Sequence, residues 1–221
     1  TVLFALDLSG SMAGGFGLWS ARQTAARVCA CLALSAVSGG DKVGLVAFSE
    51  DVDAHVPPRK GPGHALRIIR DCLALPAASP RTRIAPALEF VSRAVRKRAI
   101  VFLVSDFLAA DWERALTLCA RRHDVIAVRL LTPELEPQGR ALVRVRDPET
   151  GRAQVLDASS RRAREAYARR IAAWRTGTED ALRRANVDLM DVPVPREPGK
   201  DLVAGPILRF FRMREQRGAK R

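Results

Sequence analysis

Four short, nearly uninterrupted apolar runs constrain this chain more than any other feature: Val2 to Leu6 (VLFAL), Lys42 to Phe48 (KVGLVAF), Ala99 to Ser105 (AIVFLVS) and Val125 to Leu130 (VIAVRL). None alternates apolar with polar residues, so each reads as a strand covered on both faces. Between them lie segments with helical spacing. Ser20 to Val37 carries Ala25, Val28, Leu32 and Val37 and stops at Gly39-Gly40, and His64 to Leu73 carries Leu66, Ile69 and Leu73. Residues 86 to 97 start with Pro86 in the first turn and put Leu88, Val91 and Val95 on one side, and Trp112 to Arg122 reads as a further helix. Buried strands alternating with helices predict an α/β fold: a doubly wound, mostly parallel central sheet with helices on both faces. His55-Val56 reads as a short edge strand cut off by Pro57-Pro58.

Downstream, Leu142 to Arg146 and Ala153 to Leu156, joined by Asp147-Pro148-Glu149-Thr150-Gly151, predict a small surface β-hairpin inserted at about 142–157. Ser159 opens a long basic helix running to about Ala185, and Val187 to Val192 is a last strand. A Pro-rich link, Pro193 to Pro198, then leads to a C-terminal helix around Leu202 to Arg214. Its Ile207, Leu208 and Phe211 are expected to pack back on the rest of the chain.

The 221 residues carry 37 Lys and Arg against 24 Asp and Glu, a net charge of +13 that raises nucleic acid as a partner. Position weakens that reading. Residues 1–60 are neutral, and the excess lies in the later two thirds, much of it on helices with a solvated outer face. Aromatics are only 5%, and no basic run interleaves them for base stacking before Phe210 and Phe211. Neither nucleic acid nor a membrane is the expected partner of this segment, whose apolar runs all fall short of the ~18 residues that span a bilayer. Cys29, Cys31, Cys72 and Cys119 lack metal-ligand or redox spacing and read as buried free thiols of a cytoplasmic protein.

The chemistry-bearing residues stand where strands end. Asp7-Leu8-Ser9-Gly10-Ser11 follows the first strand, and alternation in an extended segment lets Asp7, Ser9 and Ser11 face a common point. Thr82 lies in the loop before the helix of residues 86 to 97, and Asp106 closes the Ala99 to Ser105 strand. In a doubly wound sheet that strand would neighbour the first across the switch point, setting Asp7 against Asp106. Two carboxylates and three hydroxyls suit a hard divalent cation, most naturally Mg2+, with Mn2+ or Ca2+ as substitutes. Capping is the competing role for Asp7, Asp106 and Thr82, with Ser79 as a substitute donor for the last.

This set, Asp7-x-Ser9-x-Ser11 with Thr82 and Asp106, resembles the metal-ion-dependent adhesion site (MIDAS) of von Willebrand factor type A domains. The resemblance implies that the serines and the threonine contact the ion, that the aspartates act directly or through water, and that a ligand carboxylate completes the octahedron. DLSGSM, GDKVGLVAF, RTRIAPALEFV, AIVFLVSDF, HDVIAVRL and DLVAGPILRFFRMRE, spanning Val2 to about Arg214, are similar to bacterial proteins of domain-of-unknown-function family 58. That similarity implies a type A domain over 1–192, followed by the link and basic helix of 193–221, all part of a longer protein. It also implies an adaptor or chaperone-like partner of a MoxR-type AAA+ ATPase or of its client, not an enzyme. Arg83, where relatives often carry an acidic residue, sets a cation next to the site, which would either weaken ion binding or favour an acidic ligand.

Other chemistries fit less well. A metal-dependent phosphatase using Asp7 as nucleophile needs a proton donor two residues on, and Ser9 stands there. A serine hydrolase would need a G-x-S-x-G elbow and a histidine aimed at Ser9 or Ser11, whereas His64 and His123 flank helices and read as surface or capping residues. Gly14, Gly15 and Gly17 lack the spacing of a nucleotide-binding loop.

Overall fold

The structure is a computed structural model and describes residues 1–15, 17–135 and 141–218. Its elements are β1 (Val2–Asp7), α1 (Ala21–Ser38), β2 (Val43–Phe48), β3 (Val52–Arg59), α2 (Pro62–Ala74), α3 (Ile84–Ala94), β4 (Ile100–Ser105), α4 (Glu113–Arg122), β5 (Asp124–Leu131), β6 (Leu142–Arg146), β7 (Ala153–Asp157), α5 (Arg161–Arg184), β8 (Asp188–Pro193) and α6 (Ala204–Gly218). The six-stranded sheet has the order β3-β2-β1-β4-β5-β8, parallel except for β3, and β6-β7 form a separate antiparallel hairpin. The strand order reverses at β1, so β1 and β4 flank the switch point as the sequence predicts.

Every residue of β1 and β2 is buried, the reason these strands show no polar alternation. Phe4 and Leu6 join one core with α1, α2 and α6, while Leu3 and Ala5 join the other with α3, α4 and α5. Ser20 starts α1 with a reciprocal capping box: its hydroxyl accepts from the Gln23 N–H and the Gln23 side chain accepts from the Ser20 N–H. Ser160, one residue past the expected Ser159, caps α5 by accepting from the Ala163 N–H.

Several expectations need correction. β3 does not stop at Pro57-Pro58 but runs through them to Arg59. Proline, which has no N–H to give, is tolerated there because β3 is an edge strand and its pairing with β2 shifts register between Val43↔Arg59 and Leu45↔Val56. Cys31 is exposed while Cys29, Cys72 and Cys119 are buried. In α6 Ile207 is buried and Phe211 packs against the core as expected, but Leu208 is exposed and Pro206 and Phe210 take the buried places. His123 is not a surface residue but is buried at 2%; it caps the C-terminus of α4, its N–H donating to the Cys119 carbonyl at 3.0 Å, and burial pushes its pKa down. Arg214 of α6 pairs with Asp124 and Asp188 at the start of β5 and β8, so the tail helix packs against the sheet. Among the described residues no helix is long and apolar enough to cross a membrane.

Candidate functional site

Parallel pairing of β1 with β4 matches Leu6 with Val104, which brings Asp7 beside Ser105 at the strand ends. Ser105 Oγ donates to Asp7 Oδ2 at 2.6 Å and the Ser9 N–H donates to Asp7 Oδ1 at 2.9 Å, so the fully buried carboxylate is held from β4 and from the loop that follows β1. The chain then turns through a single 3-10 turn over Gly10–Ala13, which places Ser11 Oγ 3.2 Å from Ser9 Oγ. Asp106, 3% exposed, accepts from the Ser11 side chain and from the Leu108 N–H at 3.0 Å. Asp7, Ser9, Ser11 and Asp106 thus meet at one place, as expected from their positions in the sequence.

Thr82 reaches the same end of the sheet on a different loop. The Gly10 N–H donates to the Pro80 carbonyl at 2.8 Å and the Arg83 N–H to the Ser49 carbonyl at 2.9 Å, which ties the loop before α3 to the loops after β1 and β2. The Thr82 hydroxyl, however, donates to Glu149 Oε1 at 2.5 Å, on the turn of the β6-β7 hairpin. Ser79, the substitute donor, is committed elsewhere: its hydroxyl donates to Glu50 at 3.0 Å. The Arg83 side chain is exposed.

Two further residues belong to this cluster that the sequence reading did not single out. Ser105 bridges the strands, and its only sequence signal is its place directly before Asp106. Glu149 lies in a hairpin turn about forty positions beyond Asp106, and no local pattern marks it. The β4 exit is also held from outside. Phe107 has a left-handed backbone (φ 59°), rare for an aromatic residue. It is fixed by its N–H to Ser105 Oγ at 3.1 Å, by its ring against Trp112, and by its carbonyl, which accepts from Trp174 Nε1 of α5 at 3.0 Å.

Electrostatically the site holds charge poorly as it stands. Burial, and then the neighbouring Asp106, raise the pKa of Asp7 to about 7, against the pull of hydrogen bonds from Ser105 and Ser9. Burial likewise raises Asp106, with Ser11 and the Leu108 N–H opposing and the Glu149 charge adding to the rise. Among the described residues no cationic side chain relieves either group. Nor do three or more His, Cys, Asp or Glu side chains there form a ready-made ligand cluster. What the site offers is two buried carboxylates plus hydroxyls, an all-oxygen set with unrelieved negative potential, and that donor chemistry fits a hard divalent cation keeping several waters.

The doubly wound sheet has counterparts among solved structures, a von Willebrand factor type A domain included. The structure is similar to conserved hypothetical protein BatB from Bacteroides thetaiotaomicron, with a TM-score of 0.56, 18% identity, and coverage of 96% of this chain and 98% of that one. It is similar to the SpRpn10 VWA domain, with a TM-score of 0.52, 10% identity, and coverage of 94% and 93%. An aerotolerance-related membrane protein from Bacteroides fragilis follows, with a TM-score of 0.53, 18% identity, and coverage of 94% of each chain. By sequence the chain belongs to the family described as protein of unknown function DUF58, whose pattern it matches over residues 1–177. It is 28% identical over 204 residues to an uncharacterized protein of Mycobacterium tuberculosis, covering 90% of this chain and 63% of the relative's length. It is 30% identical over 170 residues to an uncharacterized protein of Mycobacterium avium, covering 74% of this chain and 95% of that one.

Proposed function

We propose that the domain is a divalent-metal-dependent protein-binding module in which Asp7, Ser9, Ser11, Thr82 and Asp106 hold Mg2+, and an acidic residue of a partner completes the ion's coordination. The observation that carries this reading is the pair of buried carboxylates, raised by burial and by their negative neighbours, set among hydroxyls at the switch point of a type A fold. A bound cation offsets that buried negative charge and, with so few carboxylates in its shell, keeps positions open to a further oxygen ligand. The partner in this reading is a MoxR-type AAA+ ATPase or its client, met in the cytoplasm.

The module has no chemistry of its own in this reading. Phosphoryl transfer through Asp7 needs a general acid nearby, and the Ser9 hydroxyl is engaged with Ser11 at 3.2 Å, while a serine has no titration range near neutrality. Calorimetric titration of Mg2+ should show one site per chain, and Asp106→Ala should weaken it at least roughly 100-fold, the upper end of what losing even an outer-shell partner costs. Equal Mg2+ binding by both proteins, or turnover of an aryl phosphate lost in Asp7→Asn, would overturn the reading.

A further inference from the structure

The β6-β7 hairpin lays one carboxylate against the candidate metal site, and the turn is built to do so. Of its two acidic residues, Asp147 is spent on the turn itself: Oδ1 accepts from the N–H groups of Glu149 at 2.9 Å and Thr150 at 3.3 Å, and Oδ2 accepts from the Thr150 hydroxyl at 2.6 Å. Glu149 is left to point away from the turn, and its carboxylate accepts from Thr82 Oγ1 at 2.5 Å. The backbone is seated as closely. A Cβ added to Gly10 would stand 2.6 Å from the Pro148 carbonyl oxygen and 3.1 Å from that of Pro80, so the first loop, the Thr82 loop and the hairpin tip meet around a position that only glycine fits.

This contact brings like charges together. Glu149 is close enough to raise Asp106, whereas Arg146 on the same hairpin spends its Nε on the Gly151 carbonyl at 3.3 Å. A carboxylate steered toward two buried carboxylates makes sense where a cation joins them. We propose that Glu149 is the site's own carboxylate ligand: the hairpin sets it on the metal-facing hydroxyl of Thr82, in the position a partner's acidic residue must take, so that a partner binds by displacing the hairpin tip. The proposal rests on the metal-dependent reading above and assigns that site a built-in competitor.

The test uses the whole chain loaded with Mn2+ and acetate as the carboxylate probe, read by paramagnetic broadening of the acetate resonance. Wild-type protein should bind Mn2+ and broaden acetate little. Glu149→Ala should bind Mn2+ roughly tenfold more weakly, as loss of a supporting ligand does, yet broaden acetate several-fold more per bound ion. Gly10→Ala, which removes no proposed donor and crowds the Pro148 carbonyl more than that of Pro80, should raise acetate broadening in the same direction. If wild type and both variants bind Mn2+ with equal affinity and broaden acetate equally, Glu149 is no ligand and the proposal fails while the metal reading stands. Absence of Mn2+ binding by the wild type removes both.

Discussion

Asp7→Asn should make the metal-free protein more stable at pH 8, even though it removes a hydrogen-bonded, fully buried side chain. The folded-state pKa of Asp7 lies at about 7, above the 3.8 of an ordinary aspartate, because burial and Asp106 disfavour its charge. Between those two values the folded protein holds a proton that the unfolded chain releases, so this group's favourable contribution is complete below pH 3.8 and lost as pH rises to about 7. Asparagine is neutral throughout and can still accept from the Ser9 N–H. At about 1.4 kcal/mol per pKa unit, the gain over wild type should grow from near zero at pH 4 to about 2–4 kcal/mol at pH 8. Urea unfolding in chelator at the two pH values measures it. With Mg2+ added the order should reverse, since wild type gains stability by binding and the variant does not. If Asp7 merely capped its loop, Asp7→Asn would be neutral or destabilising at both pH values, with and without the ion.

Arg129→Ala should be the more damaging change to the fold. Arg129 sits in the middle of β5, 1% exposed, with Nε and Nη2 on Asp191 at 2.7 and 2.9 Å and Nη2 also on Glu179 of α5 at 3.0 Å. Its guanidinium lies 5.2 Å from the centroid of the Trp174 ring. Removing the arginine leaves two acidic groups unpaired and opens a void under α5. The expected loss is about 2–3 kcal/mol, below the value for fully buried pairs because Glu179 and Asp191 keep contact with water. Arg129→Met should recover part of it by refilling the space. The denaturation midpoint should fall with an unchanged slope. Because the same Trp174 donates to the Phe107 carbonyl beside Asp106, metal binding should weaken in Arg129→Ala, whereas a purely local effect would leave it intact.

These two residues mark what could and could not be seen in the sequence. The central strands were legible because strands covered on both faces must be apolar throughout, and the rule for doubly wound sheets set β1 beside β4, with Asp7 beside the exit of β4. Asp7, Ser9, Ser11 and Asp106 followed from strand ends and side-chain alternation. Arg129 did not, since one arginine in VIAVRL carries no sign that its partners lie on β8 and α5, 62 and 50 positions away. Glu149 was illegible for the same reason: a DPETG turn predicts a hairpin, and only tertiary packing decides that its tip rests on Thr82 rather than in solvent. The edge strand β3 defeated a local rule in the opposite sense, because a bulge accommodates the prolines that would break a central strand.

Everything proposed for this site depends on the binding of a divalent cation among these oxygens. Its most direct test is a crystal of the full chain grown with Mn2+ and measured for anomalous scattering. A single strong peak is expected in contact with the Ser9 and Ser11 hydroxyls, between Asp7 and Asp106 and within reach of Thr82. A crystal saturated with Mn2+ whose anomalous map is flat there, or whose peaks lie only on surface carboxylates, would contradict it.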